Sequence, residues 1–595
     1  MNMNRRSFLQ LVSSSAFVAA TAPSRLTAAM TSETGGFEVR GLELCGSSLW
    51  QWRTIDRSLD LMRRLGLNTL ILGQDDLPNW VVWPRAYFSE DFMYDRDPTQ
   101  MTVCHTGCDY LRQVVRRAGR RDIRVFLETK EISYPHLLVE RHPELMEIKG
   151  IVCPTHPFWW EFERARYREI VDSLPGLGGV VVSAGTSESE VSFSARKCTC
   201  GRCKDTSPAT WHENLVRSLH EAVRGEGRKL VVRDYSFSRA EQDAIIEGCA
   251  RVSPEVVISL KNTPQDFCPV FPDNPRIGRT GDNPAWIEYD AVGQFSGQGV
   301  FPIGLADDLR RRLGHARQAG VGGVTFRADL ETVSDSTVFN SPNLFNLCVG
   351  AILASGAEGP MSEVASRSLA LGIADPLRTE SEDGAPDGLG GETAERFARF
   401  MEASWGVMAK TTYVRGLVFT DGGGQLPDSV DAALDSLVTL HGRDDWEPGA
   451  SERVSPTAEN LRLILAEKAE AEQGAAGLSD LLRLDRSDMP ADLRASLASM
   501  LDLYRLYVKG FRKAAAACFT ARLAMKSGAN GDIAAARAAA DDLASHADEA
   551  AAGLDKADPA HFVRRLLDPG RPRRLADDVR EKMAELEWKA KASQP

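Results

Sequence analysis

From about residue 40 to residue 358, short apolar runs alternate with amphipathic stretches. Ile55, Leu59, Leu61, Met62 and Leu65 recur at helical spacing, and Gly66 follows them. That pattern predicts a helix over 55–65 with a glycine stop. The apolar run 67–72 then predicts a strand. The same unit repeats. Helical spacing over 111–118, 162–173, 212–223, 240–248 and 305–320 leads into strands at 123–127, 179–182, 229–232, 256–260 and 323–326. A further strand, 286–289, follows a loop and not a helix. Repeated helix-to-strand units imply a parallel sheet covered by helices. Seven or eight in about 300 residues suit a closed (β/α)8 barrel better than an open sheet. The barrel is assigned to residues 38–375.

Beyond about residue 390 no convincing strand is legible. Ala, Leu, Asp, Glu, Arg and Lys dominate 458–476, 491–526 and 532–554. This predicts an all-helical C-terminal domain over 393–595. The Gly-, Asp- and Glu-rich stretch within 376–392 reads as a linker or exposed loop. The helical domain is read as packing against the barrel. A homodimer face or a cap on the site is the alternative.

The first 30 residues follow other rules. Asn4-Arg5-Arg6-Ser7-Phe8-Leu9-Gln10 precedes a weakly apolar run over 11–22 and small residues at 27–29. This resembles a twin-arginine export signal, with Asn4 where Ser or Thr is more usual. The expectation is a periplasmic or secreted protein with no membrane attachment once the signal is removed. The run itself is too short and too polar to span a bilayer. A net charge of −12 argues against nucleic-acid partners, since phosphates would go unneutralised. No glycine-rich phosphate loop follows any predicted strand, which argues against nucleotide chemistry.

In a closed parallel barrel, chemistry sits at the carboxyl ends of the strands. There the sequence places Gln74-Asp75-Asp76, Glu128-Thr129-Lys130-Glu131, Ser187-Glu188-Ser189-Glu190, Arg233-Asp234-Tyr235, Lys261-Asn262 with Asp266-Phe267, Glu288 with Asp290, and Arg327 with Asp329. Trp50, Trp52, Trp80, Trp83, Trp159 and Trp160 also fall near strand ends or in the following loops. Aromatic platforms beside carboxylates suit a sugar, whose C–H faces stack and whose hydroxyls hydrogen-bond. The expected partner is an oligo- or polysaccharide.

Several segments together resemble the α-glucuronidases of glycoside hydrolase family 67. They are Lys261-Asn262-Thr263-Pro264-Gln265-Asp266-Phe267, Ile287-Glu288-Tyr289, Gly293-Gln294-Phe295-Ser296-Gly297-Gln298-Gly299, Ala184-Gly185-Thr186-Ser187-Glu188, Val232-Arg233-Asp234-Tyr235 and Ser341-Pro342-Asn343-Leu344-Phe345. They span roughly residues 50–360. The resemblance implies an inverting glycosidase that needs no catalytic cofactor. One carboxylic acid protonates the leaving oxygen and a carboxylate activates water. Glu188 matches the acid and Asp266 one of two bases. Gln294 stands where the second base is expected, and an amide cannot take that proton. The base is then Asp266, or Asp290 or Glu288 nearby. Lys261 and Arg233 match cations that hold a uronate carboxylate, with Asp234, Asp290, Gln294 and Arg327 beside them as further substrate-binding candidates. A third family cation is matched by Ser183. The alternatives are a hexosaminidase-like or neutral α-glycosidase on the same scaffold, or a carbohydrate-binding protein without turnover.

Each of these side chains also has a structural reading. Glu188 could be a solvated loop carboxylate, with Glu190 competing for its role. Asp266 could bond amides of its own loop, Lys261 and Arg233 could form structural ion pairs, and Glu288, inside a strand, needs a buried partner.

Cys198, Cys200 and Cys203 crowd one loop of a chain that has 11 cysteines. Three thiolates at that spacing suit three corners of a structural zinc site. A fourth ligand could come from Cys104, Cys108, His105, Cys153 or His212. Disulfides to more distant cysteines are the competing reading.

Overall fold

The computed structural model describes residues 35–592 apart from 149, 331–332, 366–390, 422, 440–442, 484–490 and 557–560. The proposed export segment and nearly all of the proposed linker lie outside the described residues.

Eight parallel strands close into a barrel in chain order. They are β1 (Val39–Cys45), β2 (Thr69–Gly73), β3 (Arg124–Lys130), β4 (Gly179–Ala184), β5 (Lys229–Asp234), β6 (Val257–Lys261), β7 (Ala285–Asp290) and β8 (Gly323–Arg327). β1 pairs with β8 and closes the ring. The covering helices are α1 (Trp52–Leu65), α2 (Pro98–Gly119), α3 (Phe158–Ser173), α4 (Pro208–Val223), α5 (Arg239–Ala250), α6 (Ala306–Gln318) and α7 (Leu344–Ala354). The connection from β6 to β7 carries no helix, as its sequence predicts. β1 is the strand that the apolar-run criterion misses.

Local chemistry sets these boundaries. In α1, Ile55, Leu59, Met62 and Leu65 are wholly buried, each such side chain stabilising by about 1.5–3 kcal/mol. Gly66 ends the helix at φ 69°, a left-handed stop that costs glycine little. Asp97 and Ser207 accept from the N–H groups of Gln100 and Thr210 and so cap α2 and α4, each with Pro at the first turn.

Strand alternation divides the barrel interior into layers. Ile71, Phe126, Val181, Val231, Val257 and Trp286 form a separate apolar cluster. Two residues further along each strand, on the same inward face, stand Gly73, Glu128, Ser183, Arg233, Ser259 and Glu288. An apolar plug thus carries a polar layer, which opens towards the carboxyl ends. Gly73 leaves room for that layer, because a Cβ there would lie 2.5 Å from the Glu128 carboxylate.

The C-terminal region is helical: α8 (Gly391–Thr411), α9 (Ala458–Leu482), α10 (Ala491–Ser527), α11 (Asn530–Lys556) and α12 (Gly570–Ala592) are its long elements. One correction is needed. Tyr413–Val414 and Leu417–Val418 form a small antiparallel hairpin. Arg415 and Gly416 turn it with φ values of 48° and 83°, as a two-residue primed turn requires. Two-residue strands are too short to leave a periodic signal. The buried Lys468 ammonium donates to the carbonyls of Lys410, Thr411 and Tyr413 and so closes the end of α8.

The helical region packs on the loop between β7 and α6. Ser404 Oγ accepts from the Gly304 N–H at 3.0 Å, the Tyr413 hydroxyl meets Ser296 Oγ at 2.9 Å, and Phe301 lies against Tyr504 and Tyr507. A Cβ at Gly304 would collide with the Met401 carbonyl. No helix among the described residues is long and apolar enough to cross a membrane.

Candidate functional site at the carboxyl end of the barrel

The polar layer is an ionic network. Arg233 on β5 is 1 % exposed. Its Nε donates to Glu288 at 2.6 Å, and its Nη1 donates to Glu43 at 3.1 Å and lies 3.5 Å from Glu128. Ser259 donates to the other Glu288 oxygen at 2.7 Å, and Ser183 donates to Glu128 at 2.6 Å. Arg327 on β8 shares Glu43 at 3.3 Å. Burial pushes the Glu288 carboxyl up, while Arg233 pulls it back. Burial alone would lower Arg233, but Glu288, Glu43 and Glu128 hold it firmly protonated.

This geometry places four of the predicted residues. Arg233 is surrounded by carboxylates of the chain itself through Nε and Nη1, while its buried Nη2 has no hydrogen-bond partner among the described residues. Glu288 is buried with it, bonded to Arg233 and Ser259. Asp234 accepts from the Ser236 N–H at 3.0 Å, from its hydroxyl at 2.5 Å and from Gln242, so it caps its own turn. Asp290 accepts from the N–H groups of Val292, Gly293 and Gln294 at 2.9, 3.0 and 2.6 Å. Burial raises it to about 6 against those bonds, but its oxygens already shape the loop that holds Gln294.

Above the network, two carboxylates stand on loops, each backed by a buried lysine. Glu188 follows β4. Its N–H donates to Thr186 Oγ1 at 3.1 Å, and its side chain is 52 % exposed. The carboxylate meets Lys130 at the end of β3, which also holds Asp75 at 2.9 Å. Asp266 follows β6 in a turn where Thr263 donates to the Asp266 carbonyl at 2.5 Å. Its backbone is left-handed at φ 42°, and it accepts from Lys261 Nζ at 3.1 Å. Both ammonium groups lie over the ring of Tyr235, Lys261 at 4.0 Å and Lys130 at 5.6 Å from its centroid. Gln294 accepts from Arg327 Nη1 at 2.9 Å. Glu188, Asp266, Lys261 and Gln294 are thus the predicted residues that remain at the rim, and Arg327 links the buried layer to it by bonding both Glu43 and Gln294.

Lys130 and Glu43 are the residues that sequence reasoning leaves unassigned. Lys130 stands beside Ser183 in the register of β3 and β4. A cation is therefore present next to the position where the sequence lacks one. The signal for it was the polar run after the second predicted strand. Glu43 lies in β1, between Leu42 and Leu44.

The aromatic residues divide. Trp159 is completely buried and donates to the Cys153 carbonyl at 2.9 Å. Trp83 is also buried, edge-on to His105. Neither can serve as a sugar platform. Trp50 and Trp80 are half-buried, 5.3 Å apart, and donate to Gln74 and Asp76.

Behind the Glu188 loop lies Glu131. It is fully buried and accepts from the Gly185 N–H at 2.7 Å. Burial raises its carboxyl to about 8, and Asp329 is raised to about 7 in the same way. Protonated forms are favoured in the folded state, so this stabilisation is complete below the ordinary carboxyl range and is lost as pH climbs through these values. The thermal midpoint is expected to fall between pH 5 and pH 9. Glu131→Gln should flatten that fall, as read by calorimetry across the range. Identical slopes in both proteins would rule Glu131 out as a source.

No protein-family profile matches the chain, and no curated protein matches its sequence. Solved structures do share its shape. A GH138 enzyme targeting pectin rhamnogalacturonan II superposes with a TM-score of 0.63 at 12 % identity, over 93 % of this chain and 68 % of that one. A family 89 glycoside hydrolase from Clostridium perfringens gives 0.47 at 11 % identity, over 94 % and 64 %. A chitobiase from Flavobacterium johnsoniae gives 0.40 at 12 %, over 92 % and 78 %. At such identities the likeness is one of fold alone, and it is the closed eight-strand barrel with a helical C-terminal region that superposes on the GH138 enzyme.

Proposed function

We propose that the protein is a glycoside hydrolase acting at the carboxyl mouth of its barrel, on a sugar that carries a carboxylate. The observation that carries this reading is the pair of lysine-backed carboxylates, Glu188 on Lys130 and Asp266 on Lys261, around the single ring of Tyr235. Hydrolysis of a glycosidic bond needs two carboxyl groups with opposite tasks. Glu188, exposed on its loop, gives its proton to the leaving oxygen as the bond from the anomeric carbon breaks. Asp266 takes a proton from water, whose oxygen bonds to that carbon from the opposite face. The water's other proton stays on the new hydroxyl. The products are an alcohol and a sugar of inverted configuration. Half-buried Trp50 and Trp80 offer an apolar wall beside the mouth.

The uronate reading, α-glucuronidase-like, rests on Lys261, Lys130 and Arg327 at the rim. With Arg233 enclosed, these three take over its expected task. That same enclosure favours a second reading, a neutral or hexosaminidase-like sugar, since the rim cations already have carboxylate or amide partners. A panel of aryl glycosides, uronides included, separates the two. The expected result is hydrolysis confined to α-uronides, with the β-anomer appearing first in proton NMR. Turnover of neutral glycosides alone would overturn the uronate reading. Binding without turnover of any member would make the protein a carbohydrate-binding module.

A further inference from the structure

The loops after β3 and β4 meet at four thiols that the proposed chemistry does not use. Cys153 comes from the first loop. Cys198, Cys200 and Cys203 come from the second, downstream of Glu188. The four sulfur atoms all lie within 4.8 Å of one another, and among the described residues they form the group able to enclose a metal ion. We propose that they bind one zinc ion as a tetrathiolate, and that this ion clamps the two loops together.

The spacing decides between metal and disulfide. Cys153 Sγ lies 3.6 Å from Cys200 Sγ and 3.7 Å from Cys203 Sγ. A bonded pair would stand at about 2.05 Å. A tetrahedron with zinc–sulfur bonds of about 2.3 Å has edges of about 3.8 Å. The surroundings suit thiolates. The Cys203 N–H points at Cys200 Sγ at 3.5 Å, and the Thr155 hydroxyl reaches both Cys153 and Cys203 at 3.3 Å. Three of the sulfurs are buried, with Ile148 and Ile151 packed against them. Lys197 and Lys204, exposed in the same segment, offset the double negative charge that four thiolates and one zinc ion carry.

The structure also chooses the fourth ligand. Cys104 and Cys108 lie together on α2, where Cys104 donates to the Asn79 carbonyl, and His212 is buried on α4. None of them joins the cluster. Cys153 does, held where Trp159 and Trp211 donate to the carbonyls of Cys153 and Pro154. The clamp therefore joins the entry to α3 with the entry to α4, and fixes the downstream end of the loop that presents Glu188.

The test is elemental analysis of the full-length protein, purified without chelator from zinc-supplemented medium. About one zinc per chain is expected, with all eleven cysteines titrating as free thiols after denaturation in chelator. Cobalt exchanged for zinc should give near-ultraviolet thiolate charge-transfer bands together with the intense visible ligand-field bands of a tetrahedral site. Cys153→Ser should abolish stoichiometric zinc, whereas Cys108→Ser should retain it. Should Cys153→Ser fail to fold, the wild-type metal content and cobalt spectrum still decide. Metal-free wild-type protein, stoichiometric iron, or non-reduced peptides that link any two of the four cysteines would each overturn the proposal.

Discussion

Glu188→Gln is expected to lower kcat by about two to four orders of magnitude on glycosides with poor leaving groups, the range for loss of a positioned proton donor. The fold should survive. The side chain is half-exposed, and Lys130 keeps Asp75 as an ionic partner at 2.9 Å, so no buried cation is orphaned. The diagnostic is the leaving group. A dinitrophenyl glycoside departs without protonation, so the variant should recover most of its rate on that substrate. Asp266→Asn should lose rate on both, because activation of water is needed in either case. Glu190, two residues on, offers a control. It accepts from the Tyr134 N–H at 2.6 Å, and Glu190→Gln should leave kcat within a few fold. Wild-type turnover by Glu188→Gln on the poor leaving group would remove Glu188 from the acid role.

What could be read from sequence, and what could not, follows from how each signal is made. The strands from β2 to β8 announce themselves because both faces of a parallel barrel strand are apolar over most of their length. β1 breaks that rule. Arg40, Gly41 and Glu43 interrupt Val39, Leu42 and Leu44, so its apolar run is too short to count. Glu43 is lost with it. Placing Glu188 and Asp266 at the mouth needed only the strand ends. Knowing which polar residues are free needed the closed ring. Arg233 and Glu288 are far apart in the chain and neighbours only across the barrel, so nothing local distinguishes an ion pair from a substrate clamp. The tryptophans fail for a similar reason: Trp50 and Trp159 both fall in the connections that follow strands, and only packing shows that Trp159 is wholly buried.

Arg233→Leu should therefore cost stability more than substrate affinity. Three carboxylates, Glu43, Glu128 and Glu288, converge on that guanidinium at 2 %, 5 % and 4 % side-chain exposure. Removing one partner of a buried ion pair costs about 3–5 kcal/mol, because charges are left behind in a low dielectric. Arg327 still reaches Glu43, but among the described residues Glu288 keeps Ser259 as its remaining hydrogen-bond partner. The loss should shrink as pH falls and the stranded carboxyls take up protons. Denaturant titrations at pH 5 and pH 8 read both effects. The double variant Arg233→Leu/Glu288→Leu separates structure from recognition. If Arg233 serves the ring, the double variant regains part of the stability that the single one loses, since removing both members of a pair relieves the unpaired charge. If Arg233 instead gripped a substrate carboxylate, the single variant would raise KM at nearly unchanged stability, and the second substitution would restore nothing. A barrel that stores two arginines and three glutamates directly above its apolar plug holds the strand ends in register by charge. The loops that carry Glu188 and Asp266 inherit their separation from that layer.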